Sequence, residues 1–262
     1  MDILILTTNI EGSAALNLRE LLKSDTISVK MVIYNKGEIL NKKKYYHKRI
    51  KKVLKVGICG ALNGIRMRKW YIDDVLPYLK NDSIDVICKK NNIPFKTTPS
   101  INCSKTIELF KMANADLGLS IGNTYITSKI FTVPKLGMLN IHYEELPDYQ
   151  NATGIIWQIY NRSNKTGFTI HKIDKHIDTG PIFYKEKIDL VFKKNLRETV
   201  SYNYSRVLQK STKSLRRVIE NFDYYHKNSI MQCNGNTYTT PTITQYLKIK
   251  RNFKLLRDNV EK

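Results

Sequence analysis

The sequence predicts an α/β fold, a mostly parallel sheet covered by helices on both faces, on three observations. Residues 2–8, Asp-Ile-Leu-Ile-Leu-Thr-Thr, form the continuous apolar run of a strand buried on both sides. A strand, a helix and a second strand fit within the first 34 residues, which is a βαβ unit that winds right-handed into a parallel sheet. Further apolar strands then recur at 115–121 and 137–142, the second broken by the two polar residues Asn140 and His142.

The elements follow in order. After the first strand, Asn9 to Ser13 is a loop. Ala14, Ala15, Leu18, Leu21 and Leu22 recur at helical spacing behind Gly12 or Ser13 as cap, and Val29 to Tyr34 is the second strand. Asn41 to Lys55 carries eight Lys and Arg residues with no acid among them, interleaved with Tyr45, Tyr46 and His47. This run reads either as a phosphate-binding patch with stacking aromatics or as an amphipathic surface helix with a solvated basic face, and the helix is favoured. Gly57 to Gly64 lacks the strand and the spacing of a dinucleotide loop, although Gly60 and Gly64 would let backbone approach a ligand closely.

A helix through Ile84–Cys88 leads to a short strand at Ile93-Pro94-Phe95, a helix from Thr106 to Met112, a strand from Ala115 to Ile121 and a turn at 122–126. Gly137 to His142 is another strand, followed by a helix over Ala152–Tyr160 and strands at 166–173 and 181–191. Asn195 with Glu198 resembles a capping box opening a long helix that keeps its apolar period to Phe222. Thr237 to Pro241 reads as a short strand and turn before a basic amphipathic end.

Bulk properties exclude more than they select. The chain starts on a buried-strand pattern without a basic leader, and no apolar stretch reaches the roughly 18 residues of a membrane span, so a soluble, cytoplasmic protein is expected. Cys59, Cys88, Cys103 and Cys233 form no CxxC pair and read as free thiols, with no metal site. The formal charge of +21 admits nucleic acid, an anionic membrane surface or a phosphorylated substrate as partner. Lys, Asn, Ile and Tyr are abundant together, as A+T-rich coding sequence produces, and such lysines simply solvate the surface. Charge alone therefore selects no function.

The residues suited to carry chemistry are Asn140, His142 and Asp178; on spacing alone, a strand histidine reads equally as a satisfied core or surface residue. Asn140 and His142 alternate on one strand and project to one face. Asp178 stands in a tight loop closed by Gly180. An amide can hold a developing oxyanion, an imidazole titrating near neutrality can move the proton of an attacking amine, and a carboxylate can orient that imidazole.

Gly137-Met-Leu-Asn-Ile-His142, Leu146-Pro147, Trp157-Gln158, Thr166-Gly-Phe-Thr-Ile-His171 and Ile177-Asp-Thr-Gly-Pro-Ile182 together resemble the formyltransferase family over roughly 115–188. The resemblance implies a Rossmann-like catalytic domain over 1–192, containing a basic insertion at about 36–77, and a small helical and β extension over 193–262. It implies 10-formyltetrahydrofolate as co-substrate, no metal, and Asn140, His142 and Asp178 as the catalytic set. It also implies donor binding by Ser120, Ile121, Gly122, Asn123 and Tyr125 in one loop and by Ile173, Asp174 and Ile177 in another. The amine would enter beside Asn9, Gly12 and Ser13, where a helix N-terminus suits a phosphate. His171 is expected to be a supporting residue and His176 a surface one.

The sequence departs from the family where Ser-Leu-Leu-Pro and a later Arg-Gly are usual: Tyr143-Glu-Glu-Leu-Pro147 and Gln150-Asn151 stand there instead. The tail is too short for the barrel that methionyl-tRNA formyltransferase carries, and the basic insertion is unlike glycinamide ribonucleotide formyltransferase. A nucleotide-linked amino sugar is the acceptor left by exclusion, with methionyl-tRNA and glycinamide ribonucleotide as alternatives. The expected partners are small molecules; a homodimer is compatible, and nucleic acid is set aside. The reading from another class is a non-catalytic, basic RNA-binding or scaffold protein on the same fold.

Overall fold

The computed structural model describes residues 1–39, 41–151 and 153–260. One seven-stranded sheet organises them: β1 (Asp2–Thr7), β2 (Ser28–Asn35), β3 (Phe95–Thr98), β4 (Leu117–Ile121), β5 (Met138–His142), β6 (Lys165–Lys172) and β7 (Ile182–Asp189), in the spatial order β3-β2-β1-β4-β5-β6-β7. Strands β1 to β5 are parallel, and β6 and β7 join antiparallel at one side. The predicted fold class is the one observed.

The apolar run at the N-terminus is continuous because β1 serves two cores. Ile3 and Ile5 face the layer of α1 (Ser13–Leu21), α3 (Ile84–Lys90) and α7 (Leu196–Glu220), whereas Leu4 and Leu6 face α4 (Ser104–Ala113) and α5 (Ser128–Phe131). Phe168 on β6 is 0% exposed in the first core, a burial that stabilises by about 1.5–3 kcal/mol. A third cluster joins α6 (Gly154–Tyr160) and α9 (Ile243–Val260) through Trp157, Ile159, Ile249 and Phe253; α8 (Phe222–Lys227) closes the set.

Two expectations are corrected. The third strand starts after Pro94, not at Ile93, because a proline has no N–H for the ladder; only its carbonyl is used, accepting from Val32 N at 2.9 Å. Residues 57–70, to which no element was assigned, belong to a helical stretch α2 (Lys42–Ile72) broken only at Gly57. Gly60 and Gly64 admit the chain itself, not a ligand: a Cβ on either would stand 3.1 Å from Pro241 O or 2.5 Å from Thr240 Cγ2. Thr237 does pair, as an isolated bridge with Gln150. Ala152, expected to open the helix now seen at Gly154–Tyr160, lies outside the described residues.

Asn195 caps α7, its side chain accepting from Glu198 N at 3.0 Å while its amide donates to Glu198 Oε1 at 2.6 Å. Asn195→Ala should lower the unfolding free energy by about 1 kcal/mol, measured by urea denaturation; an unchanged midpoint would mean the box contributes nothing.

Candidate functional site

The sheet reverses its order of growth between β1 and β4, and the crevice at the carboxyl ends of such neighbours is where open α/β sheets bind ligands. A cavity of about 430 Å3 lies there. Its floor is tied by Asn123, whose amide donates to Leu6 O at 2.6 Å and Ser120 Oγ at 3.1 Å. Gly122 holds φ 69° on that floor, and a Cβ there would stand 2.4 Å from Asn9 Nδ2.

The pairing of β5 with β6 sets His171 opposite Asn140 and Thr169 opposite His142. Thr169 then fixes the chain leaving β5, its hydroxyl donating to Glu144 O at 2.8 Å and accepting from Leu146 N at 3.0 Å. His171 Nδ1 donates to Lys172 O at 3.0 Å, which leaves Nε2 as an acceptor for Asn140 Nδ2 at 3.1 Å. Burial pushes His171 down to about 4, against the pull of Asp178, so the ring is neutral and orients the Asn140 amide.

Asp178 enters from the loop between β6 and β7. It holds φ 55°, which aspartate tolerates better than most residues. Gly180 is required beside it, because a Cβ would stand 1.9 Å from Lys172 O. Inside the loop, Asp174 accepts from Thr179 Oγ1 at 2.8 Å and from His176 N at 3.0 Å. The Asp178 carboxylate lies between the two rings, 3.7 Å from His142 Nδ1 and 3.7 Å from His171 Nε2.

His142 has a second carboxylate that sequence reasoning assigned no role. Its Nε2 stands 2.7 Å from Tyr149 O and 2.7 Å from Glu144 Oε2. Glu144 is 6% exposed and also accepts from Gly154 N at 2.6 Å. A Cβ at Gly154 would lie 1.9 Å from Glu144 Cγ, so α6 starts with glycine to make room. Burial pulls His142 down, but Glu144, the hydrogen bond to it and Asp178 outweigh that and raise it to about 9. The expectation of an imidazole titrating near neutrality is thereby corrected: at pH 7 His142 is a cation between two carboxylates.

Both departures flagged in the sequence act here. Glu144 stands in the Tyr143-Glu-Glu-Leu-Pro147 segment, and Asn151 N donates to Asp178 Oδ2 at 3.1 Å while Gln150 Nε2 donates to Asp178 O at 3.4 Å. Those departures were the available signal; the pairing they make was not visible without the fold.

Of the predicted residues, Asn140, His142, Asp178, Ser120, Gly122, Asn123, Tyr125, Ile173, Asp174, Ile177, Asn9 and Ser13 all line the cavity. Ile121 and Gly12 do not: Ile121 is 0% exposed in the core, and Gly12 turns the chain into α1 with Leu76 and Leu79 beside it. Three tyrosines join unannounced. Tyr204 stacks edge-on with Tyr71 at 5.0 Å and with Tyr143 at 5.6 Å between ring centroids. Burial drives all three hydroxyls up, Tyr143 to about 12, so each stays protonated. Despite the net charge, no lysine or arginine is among the described residues that line the cavity. Among the described residues, no group of three or more His, Cys, Asp or Glu is arranged to hold a metal, and no helix is long and apolar enough to cross a membrane.

A model of the formyl transferase family matches residues 78–219, more than half of the chain. The chain belongs to the formyl transferase family. Among curated relatives, methionyl-tRNA formyltransferase of Thermotoga maritima is 31% identical over 109 residues, a match that takes in 41% of this chain and 34% of that protein. The matched stretch thus spans about a third of that relative's length. The solved N-formyltransferase from Helicobacter canadensis, in complex with folinic acid and dTDP-3-aminofucose, superimposes on 96% of this chain and 80% of its own, with TM-score 0.55 and 17% identity. Glycinamide ribonucleotide transformylase 1 from Symbiobacterium toebii superimposes on 90% of this chain and 92% of its own, with TM-score 0.57 and 13% identity. At such identities the likeness is one of fold.

His142 rises above its ordinary value on folding, so its protonation stabilises the fold fully below about pH 6.5, and that contribution fades as pH climbs through about 9. An NMR titration of the His142 ring should show a midpoint near pH 9, and Glu144→Gln should bring it down by a unit or more. A midpoint near 6.5 in the unaltered chain, or no change in the variant, would contradict the pairing with Glu144.

Proposed function

We propose that this chain transfers a formyl group from 10-formyltetrahydrofolate to a primary amine, and that the amine belongs to a nucleotide-linked amino sugar. The observation that carries this reading is the convergence of Asn140, His142 and Asp178 in one cavity walled by the loops 120–125 and 173–178.

The residues present fit a folate. The two loops offer backbone groups to the edge of a pterin, and Asn123 Oδ1 is buried with no hydrogen-bond partner, an acceptor that a ring N–H would satisfy. The cavity volume lies within the usual range for small-molecule sites. When bound, 10-formyltetrahydrofolate supplies the formyl carbon and the nitrogen from which it departs.

The roles of the chain's own groups follow from their geometry. Asn140, held by His171, has a second N–H for the formyl oxygen. His142, already cationic, stabilises the charge that gathers on that oxygen as the amine attacks. Asp178 lies between the rings and takes the proton that the amine must lose, a duty the sequence had given to His142. The leaving nitrogen can then be protonated from His142.

The choice of acceptor rests on the part of the cavity lined by Tyr71, Tyr143 and Tyr204, beside Glu144. Aromatic faces suit the C–H face of a sugar ring. A phosphate bound inside this cavity would meet acids and no lysine or arginine, so the diphosphate of the acceptor lies outside it. The division into a catalytic part, 1–192, and an extension, 193–262, stays a proposal with one amendment: Tyr204 brings the extension into the cavity. A cytoplasmic setting goes with this reading.

The test is incubation with 10-formyltetrahydrofolate and a panel of nucleotide-linked 3-amino and 4-amino sugars, following tetrahydrofolate release. Turnover is expected with one or more of them, and absence of turnover across the panel beside turnover of methionyl-tRNA or glycinamide ribonucleotide would move the acceptor. His142→Ala and Asp178→Asn should each cut kcat/KM by about 100-fold or more with the fold intact by circular dichroism; near-normal rates in either would overturn the roles. Asn140→Ala should lower kcat far more than it weakens donor binding, since its partner is charge that develops during reaction.

A further inference from the structure

Among the described residues, no lysine or arginine lines the cavity, and the densest group of them in the sequence stands on α2. From Lys42 to Ile72 there are eleven Lys and Arg residues and no Asp or Glu. Gly57, at φ 77° and ψ 162°, occupies a backbone state essentially confined to glycine and divides the stretch in two. The inner half is anchored through Gly60 and Gly64 against residues 240–242 and through Met67 and Trp70, which are 3% and 2% exposed. Its opposite face leaves Ile58, Leu62 and Ile65 in solvent at 72%, 62% and 56%.

The outer half is exposed at every residue from Tyr46 to Lys55. At 100° per residue, Tyr46, Ile50, Val53 and Leu54 share one side, and Lys48, Arg49, Lys51, Lys52 and Lys55 fill the other. A merely solvated basic face explains the lysines but leaves Leu54 in water at 79% exposure. A polynucleotide would engage the cations and Tyr46, yet it would leave the aliphatic ridge uncovered. A second copy would cover the ridge while setting one group of eleven cations against another. An anionic bilayer surface takes both sides at once, aliphatic groups at the acyl boundary and cations among the headgroup phosphates.

We propose that α2, chiefly its outer half, is a surface-lying anchor that docks this chain on anionic membranes. Docking of this kind needs no spanning helix. None of the described residues of the ridge or of the basic side is among those that line the cavity.

Vesicle flotation of the full chain tests this with equimolar phosphatidylcholine and phosphatidylserine against phosphatidylcholine alone. Binding to the anionic vesicles is expected to be tenfold or more tighter than to the neutral ones. Ile50→Glu with Leu54→Glu, and separately Lys51→Glu with Lys52→Glu, should each weaken it by about tenfold or more. All four positions are exposed, so both variants should keep the near-ultraviolet circular dichroism of the parent and whatever formyl transfer it shows. Absence of vesicle binding overturns the proposal. So does binding that ignores the Ile50 and Leu54 changes, or a preference for single-stranded polyuridylate over the anionic vesicles. None of these outcomes touches the formyl-transfer reading, which the activity panel tests by itself.

Discussion

The buried charge cluster around His142 is the constraint on which the rest of the site depends. Two carboxylates, Glu144 and Asp178, sit in side-chain environments only 7% and 14% exposed. Buried without a counter-charge, each would cost several kcal/mol. One imidazolium lies between them, and each carboxylate also accepts one backbone N–H, Glu144 from Gly154 and Asp178 from Asn151. This demands the start of α6 at Glu144, the turn of Gln150 and Asn151 toward Asp178, and the closure of the 173–180 loop by Gly180. The antiparallel join of β5 to β6 supplies the fourth requirement, a neutral His171 behind Asn140.

The electrostatic contrast between this interior and the exterior is large. A chain of +21 builds a cavity whose titratable lining consists of carboxylates, histidines and tyrosines. The cations are pushed outward, most densely onto α2. Separation of this kind lets one surface respond to the charge of its surroundings while the interior keeps its own proton balance.

Much of the fold was legible because strand burial and helix period leave one-dimensional traces. The β1 run, the βαβ unit, the capping box at Asn195 and the pairing of Asn140 with His142 on one strand all survive translation into three dimensions. What stayed hidden depends on long-range proximity. Gly60 and Gly64 read as room for a ligand because nothing local shows that residues 240–242 will press against them. The Tyr71, Tyr143 and Tyr204 cluster joins residues from α2, β5's exit and α7. Glu144 was visible as a departure, but its effect on His142 follows from a side-chain distance that spacing does not encode. Two expected positions, Ile121 and Gly12, are not among the residues that line the cavity, and nothing local in the sequence separates them from the neighbours that do.

Gly154 and Glu144 cannot vary separately. The space that a side chain at 154 would need is already filled by the carboxylate stem, and the backbone N–H at 154 is what that carboxylate leans on. Shortening position 144 frees the volume but draws the carboxylate back from His142, and enlarging position 154 forces the carboxylate stem to move. The two positions are therefore coupled through one small volume and one hydrogen bond.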